Sequence, residues 1–419
     1  MKRRLGLMFM GMAGLSLLLG CGGGGANTGT EAEAIEILRP FAGEALINST
    51  NQPVKWSGGD AQTNVDIVFV PKNGDATVLS GNISNSGEAD VRIGDLLTFD
   101  QRQGGTLQVV PTNETSGAAN SSSSTSLRGE VPVRVGSLAA FSWNGTAEEY
   151  AWINVHSGHQ HVVGTVGDMQ SWTFNTLAVD HQQDVLHIVA FNAANVQKVY
   201  SLHSRTGMLL SDPPLTGIDF AIAGLVLTQS GKLVGFAWDA ASNSEKIYAL
   251  DTMTGVVTEM GTVGDLQYWQ TETAYSPMAD EIYVAGITAS NESKLYVMNA
   301  TSGALVRSVG FTLNGTALDN ILGFAMNSAG SLIAYHWNGS SEQMLRIDTT
   351  SGAATEIGTV GDLQYWSTVA DVNLTNDRAY VIGTNAANEN KLYTLDTVTG
   401  ALVDELVINE YPTNAVLVH

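Results

Sequence analysis

From residue 34 onward the chain runs in short apolar stretches, divided every few residues by Gly, Asn, Asp, Ser or Thr. Many alternate apolar and polar residues with a period of two. In an extended strand that turns one face to a core and the other to water. Before residue 137 these stretches fall at 35–38, 45–47, 54–56, 65–70, 77–79, 91–93, 107–110 and 131–135. Turn residues separate them, including Ser57-Gly58-Gly59-Asp60 and Lys72-Asn73-Gly74-Asp75. About seven or eight short strands within residues 34–136 predict a small β-sandwich with Trp56 in its core. The stretch 112–127 is rich in Ser, Thr, Gly and Asn. It reads as a long hairpin loop before the last strand, or as the start of an interdomain linker.

Beyond residue 136 the pattern repeats. Gly-Thr-Val-Gly-Asp occurs at 164–168, 261–265 and 358–362, two spacings of 97 residues. Each copy continues to a Gln and a Trp: Gln170 and Trp172, Gln267 and Trp269, Gln364 and Trp366. A Ser-Gly or Thr-Gly pair ends at Gly158, Gly207, Gly255, Gly303, Gly352 and Gly400, at spacings of 48 or 49 residues. Asp251, Asp348 and Asp396 stand between a strand and such a pair. An Asp there accepts a backbone hydrogen bond from two residues on, and the Gly takes the positive φ that closes the hairpin. A unit of this length with four strands is the size of a propeller blade. The fifth unit shows them at 322–326, 332–335, 344–347 and 355–357. The first unit, starting near Leu138, lacks a first strand, and the chain ends in the strand-like Asn414-Ala415-Val416-Leu417-Val418-His419. That last strand is expected to complete the first blade and remove the open edges of the ring. The fold class expected is all-β: a sandwich at 34–136, then a six-bladed β-propeller at 137–419.

Three resemblances attach to these residues. Pro53-Val54-Lys55-Trp56-Ser57-Gly58, followed by 65–69 and Asn82-Ile83-Ser84-Asn85-Ser86-Gly87, resembles the immunoglobulin-like domain of fungal cell-wall-synthesis proteins. The Leu-Tyr-x-Leu-Asp-x-x-Thr-Gly strings resemble repeats of quinoprotein-like bacterial propellers. The tryptophan docking motif of quinoprotein dehydrogenases is missing, which counts against a quinone, and no cofactor is expected. At the N-terminus Lys2, Arg3 and Arg4 precede an apolar run at 5–19, short for a membrane span. It ends in Leu18-Leu19-Gly20-Cys21, which resembles the lipobox of bacterial lipoproteins. The resemblance implies cleavage before Cys21 and a diacylglycerol on its thiol. Cys21 is the single cysteine, so no intrachain disulfide can form. Residues 1–20 are then a signal peptide, and the Gly-rich residues 21–33 a lipidated tether. With no Asp after Cys21, sorting to the outer membrane is the default the resemblance implies.

The formal charge of −22 argues against nucleic acid or an anionic membrane surface as electrostatic partners. In a propeller, the crossings from one blade to the next share a face with the second-to-third strand turns. The Asp-x-Gln-x-Trp strings, placed in alternate crossings, are expected to ring that face with Asp168, Asp265, Asp362, the three Gln and the three Trp. Indole faces and polar side chains then suit a glycan or an envelope protein. Packing tryptophans and turn-capping aspartates are the plainer reading of the same residues. Trp143, Trp238 and Trp337, at ends of second strands, are expected to pack in the core or at the rim. His156, His159 and His161 have ligand-like spacing but occur in one unit, on a turn of the opposite face, so exposed turn residues are expected and no metal site. No Gly-x-Ser-x-Gly elbow and no phosphate loop occurs. These features suggest a non-enzymatic, envelope-anchored recognition or scaffold protein. The alternative is a glycan-active enzyme with an Asp or Glu pair at the channel.

Overall fold

The computed structural model describes residues 34–40, 45–46, 51–72, 75–92, 105–112, 129–135, 138–155, 158–319, 321–374, 376–408 and 414–417. The expected signal peptide, Cys21, the tether, His156 and residues 113–127 lie outside the described residues. The described secondary structure is entirely β.

Eight strands build the first unit: β1 (Glu36–Arg39), β2 (Ala45–Leu46), β3 (Asn51–Ser57), β4 (Val65–Pro71), β5 (Thr77–Ile83), β6 (Glu88–Arg92), β7 (Gly105–Pro111) and β8 (Gly129–Val135). They form two sheets, β1-β3-β6 and β2-β8-β7-β4-β5. Val54 and Trp56 of one sheet meet Ile67, Phe69, Leu107 and Val109 of the other in a single core. Burial of those apolar side chains is the main force holding the sheets face to face. Trp56 is 3% exposed, and its ring N–H donates to Asn85 Oδ1 at 2.6 Å. Asn85 Nδ2 in turn donates to the carbonyls of Gly58 and Asp60, both at 3.2 Å. The buried indole is thus satisfied by the residue that ties two turns together.

Six further sheets follow. The inner strands of blades 2 to 6 are Met169–Asp180, Ala223–Leu227, Leu266–Ser276, Ile321–Met326 and Leu363–Asn373. Blade 1 takes its inner strand, Asn414–Leu417, from the end of the chain. Ala415 lies opposite Ala140, and Leu417 opposite Leu138. Inner strands touch in order around the circle, the sixth meeting Asn414–Leu417, which also touches the second. An apolar cluster fills each gap between blades. The one that closes the ring joins Leu138, Ile153 and Ala415 to Tyr380, Ile382 and Leu392.

The hairpin chemistry follows from the repeat. Asp251 Oδ1 accepts from the backbone N–H of Met253 and Thr254, each at 2.9 Å. Asp348 and Asp396 repeat this with Thr350 and Ser351, and with Val398 and Thr399. Gly255, Gly352 and Gly400 close these turns at φ of 72°, 75° and 77°. Gly358, which opens the third Gly-Thr-Val-Gly-Asp, has a different reason to be glycine. A Cβ there would lie 1.9 Å from the carbonyl oxygen of Gly400, so two blades meet backbone to backbone.

Two expectations need correcting. Only the Gly-Asp pairs occupy the crossing turns. Gln170 and Trp172, Gln267 and Trp269, and Gln364 and Trp366 sit in the inner strands of blades 2, 4 and 6. Met169, Leu266 and Leu363 start those strands and are buried, so the strand begins directly after the Asp. Blade 5 also exceeds four strands. A small hairpin, Thr312–Leu313 and Thr316–Ala317, pairs through Thr312–Leu313, in parallel, with its outer strand Ala353–Thr359 and extends the sheet to six.

The sandwich meets the propeller at blade 2. Arg205, in a hairpin turn, donates from Nε to Asp184 Oδ1 at 2.9 Å and from Nη1 to Gln52 Oε1 at 3.1 Å. Arg39 of the sandwich lies 4.0 Å from Asp184. Both propeller residues belong to the face of the hairpin turns. The opposite face, with the crossings, points away from this contact.

Candidate functional site

The crossing face is built by one motif used three times. In the crossing to blade 2 the Val166 N–H donates to Glu148 O at 3.1 Å, and Met169 N–H returns to Val166 O at 3.0 Å. Gly167, at φ 50°, allows that reversal. Asp168 then points its carboxylate at the third strand of blade 2, Gln197–His203. It accepts from Lys198 Nζ at 2.9 and 3.1 Å, from the Tyr200 hydroxyl at 2.8 Å and from Asn192 Nδ2 at 2.9 Å. Asp265 does the same with Lys294 and Tyr296, each at 2.8 Å. Asp362 does so with Lys391, Tyr393 and Asn385, each at 2.8 Å.

The three carboxylates are therefore held on separate blades, each neutralised by its own lysine. Partial desolvation works against ionisation of Asp168. The hydrogen bonds from Asn192, Lys198 and Tyr200 outweigh it and hold the carboxyl at about 2. Asp362 is held at about 2 in the same way by Lys391, Asn385 and Tyr393. For Asp265 the Lys294 hydrogen bond is the leading cause of a lowered value. Desolvation and the carboxylate together raise the phenols of Tyr200, Tyr296 and Tyr393. Among the described residues no group of three or more His, Cys, Asp or Glu could hold a metal ion. His159 and His161 are half-buried, and burial lowers the pKa of His159.

The signal for these latches is in the chain. Lys-x-Tyr follows the three Asp after 30, 29 and 29 residues, at 198–200, 294–296 and 391–393. The pattern was legible once the third strand is known to pass beneath the crossing.

Gln170 and Gln364 are exposed, and Gln267 is half-buried. Gln170 Nε2 reaches Thr146 O at 3.5 Å, across to blade 1. The side chains of Trp172, Trp269 and Trp366 lie outside the described residues. Another aromatic set takes their place in view. Tyr268 and Tyr365 are 64% and 63% exposed, each directly after the repeated Gln. Blade 2 has Ser171 there. Of the second tryptophan set, Trp238 and Trp337 are half-buried at the rim, whereas Trp143 is 44% exposed and not a core residue.

Two clefts open on this face. One of about 270 Å³ lies between blades 3 and 4, lined by Asn243, Asp265, Gln267, Thr288 and Ser290 among others. It brings together two of the residues expected from the repeat, Asp265 and Gln267. A second, of about 370 Å³, lies between blade 2 and the crossing to blade 3. Each is lined by one carboxylate, Asp265 or Asp219. Acid–base hydrolysis of a glycoside needs two.

No protein-family model matches the chain, and no curated protein matches it. Among solved structures it is similar to TolB from Acinetobacter baumannii, at 15% identity and a TM-score of 0.49, over 67% of this chain and 66% of that one. A chain of the nidogen/laminin complex is similar at 10% identity and a TM-score of 0.48, over 68% and 99%. A quinoprotein alcohol dehydrogenase-like protein from Bacteroides thetaiotaomicron is similar at 9% identity and a TM-score of 0.40, over 92% and 98%. The all-β propeller is read from the chain's own ring of six sheets.

Proposed function

We infer that the protein is a non-catalytic glycan-recognition lipoprotein of the bacterial envelope. It is tethered through lipid on Cys21, with the sandwich as an immunoglobulin-like spacer and the crossing face as the binding surface. The observation that carries this reading is the pair Tyr268 and Tyr365, two aromatic rings exposed at equivalent positions of one face. Exposed tyrosines offer apolar faces to sugar rings and hydroxyls to their polar edges. Gln267 and Gln364 stand beside them as neutral donors and acceptors. The nearby carboxylates are already committed to lysines, so the surface presents little free charge. The sandwich contacts the other face, which leaves this one open to a partner.

The test is a glycan array probed with the chain begun at residue 22, wild type and Y268A/Y365A. Wild-type binding to neutral glycans, lost in the double variant, is the expected result. Binding that survives the double variant, or an array without hits beside capture of an envelope protein, would overturn it. The anchor is tested separately: Cys21→Ser should abolish incorporation of labelled palmitate.

A further inference from the structure

We propose that the cleft between blade 2 and the crossing to blade 3 is a second, distinct binding site, and that it takes a single neutral sugar ring. This does not rest on the tyrosine pair being the recognition surface.

The cleft is a departure from the repeat. The three even blades pair the last residues of their second strands with the first residues of their third. In blade 6 that pair is Thr384 and Asn390, and the Thr384 hydroxyl donates to Asn390 Oδ1 at 3.1 Å. In blade 4 it is Ile287 and Ser293. In blade 2 it is Phe191 and Gln197, so a phenyl ring stands where it can give the amide nothing. Gln197 is 9% exposed and lines the cleft. Its Oε1 accepts from the Ile222 N–H at 3.2 Å, which fixes which way round the amide lies. Its Nε2 is buried and has no hydrogen-bond partner. A buried amide donor without an acceptor is uncommon, and a ligand oxygen would supply one.

The opposite wall is the crossing itself. It carries Leu215, Ile218 and Phe220, all partly buried, with Asp219 exposed at the rim. Its shape is set in advance. Pro213 and Pro214 restrict the backbone, and Thr216 hydrogen-bonds Gly255 and Val257 of blade 3 at 2.9 and 3.0 Å. Sequence differences place this chemistry in one crossing alone: the crossings that start from Phe311 and Ile408 have no counterpart of the Phe191, Gln197 and Phe220 set.

The lining selects the ligand. At about 370 Å³ the cleft lies in the range of small-molecule sites, roughly 300–1,000 Å³. Phe191 and Phe220 suit the C–H face of a pyranose. The amide needs an acceptor and Asp219 needs a donor, and a sugar hydroxyl is both. A plain hydrocarbon would leave the amide unpaired, and a simple cation would offer it no acceptor. No lining residue is cationic and one is anionic, so uronates and phosphates are disfavoured.

The experiment is saturation-transfer-difference NMR on the full lipidated chain in a detergent without a sugar headgroup. The probes are neutral methyl glycosides of glucose, galactose, mannose and N-acetylglucosamine, with methyl glucuronoside as the charged control. At least one neutral glycoside should show transfer to its ring C–H protons, and the glucuronoside none. Gln197→Leu should reduce transfer at least fivefold. That change also removes the Ile222 acceptor, so Phe220→Ala and the exposed Asp219→Ala are read beside it, each expected to reduce transfer at least threefold. The cleft variants are made in the Y268A/Y365A background, which removes any transfer at the tyrosine surface and should still show transfer at the cleft. Absence of transfer from every neutral probe, equal transfer from the glucuronoside, or full transfer in Phe220→Ala and Asp219→Ala would overturn the proposal. Transfer lost only in Y268A/Y365A would overturn it while leaving the tyrosine surface standing.

Discussion

The chain passes from blade to blade in two ways, and the contrast is instructive. Crossings to blades 2, 4 and 6 are short Gly-Asp turns locked by the same lysine and tyrosine each time. Crossings to blades 3, 5 and 1 differ from each other. One carries the proline-bearing wall of a cleft, one folds into the hairpin Thr312–Leu313 with Thr316–Ala317, and one leads to the closing strand Asn414–Leu417. Where backbone must meet backbone, as at Gly358 and Gly400, few sequences fit and the repeat is kept. Where the chain runs over the surface, many sequences fit and chemistry can vary.

That contrast can be broken most severely at the closing crossing. Removing residues 411–419 deletes the inner strand of blade 1 and bares the edge of Leu138–Trp143. We expect loss of near-UV circular dichroism and aggregation by size-exclusion chromatography. A variant that stays monomeric with an unchanged melting curve would show that the ring does not depend on the closure.

The next effect belongs to the outer strand that leads into a tight crossing. Gly358→Ala sets a methyl group 1.9 Å from a backbone carbonyl that cannot swing aside. A loss of about 1–3 kcal/mol, the usual range for overpacking, is expected in urea unfolding. Gly164→Ala is the matched control, because a Cβ there meets nothing within 4 Å. Its φ of 153° lies near the edge of the strained region, so it should cost less than Gly358→Ala.

The latches predict a pH dependence. Asp168 and Asp362 titrate at about 2 in the fold against an ordinary 3.8. A carboxyl depressed by folding contributes stability that is complete above the unfolded value and is lost as pH falls through the folded one. The contribution should therefore fade between about pH 4 and pH 2. The triple variant Asp168→Asn, Asp265→Asn, Asp362→Asn should flatten melting temperature against pH in that window. All three carboxylates are about half exposed, so each latch should contribute no more than about 1 kcal/mol at neutral pH.

The smallest effects sharpen the other side. Asp219→Ala and Tyr365→Ala lie at exposed positions of the variable surface. Each should change stability by less than about 0.5 kcal/mol in thermal melts while weakening ligand binding. A larger destabilisation would mean that these positions belong to the framework after all.

Much of this was legible in one dimension. The apolar runs at 65–70 and 107–110 fall within β4 and β7, the central strands of their sheet, where β4 is buried on both faces. Six Ser-Gly or Thr-Gly turns counted six blades, since a hairpin reversal demands positive φ at a fixed place in each unit. The missing first strand beside Leu138 and the spare strand at the end announced the closure. The site was only half legible. Asp265 and Gln267 do line a cleft, but Asp-x-Gln-x-Trp leaves the crossing after its Asp and continues as strand.

Local rules, then, were enough for strands, turns and repeat number, because each is set by residues a few positions apart. The company that each carboxylate keeps is another matter. Asp168 meets Tyr200 over 32 residues across the sheet of blade 2, and Gln197 meets Ile222 over 25, where the crossing to blade 3 passes over that sheet. Whether a polar group ends satisfied, as Asp168 is, or left with a free hydrogen, as Gln197 is, depends on which side chains the other strands of its blade and the adjoining crossing bring to it. That outcome belongs to the folded blade and its crossings, which no short stretch of sequence specifies.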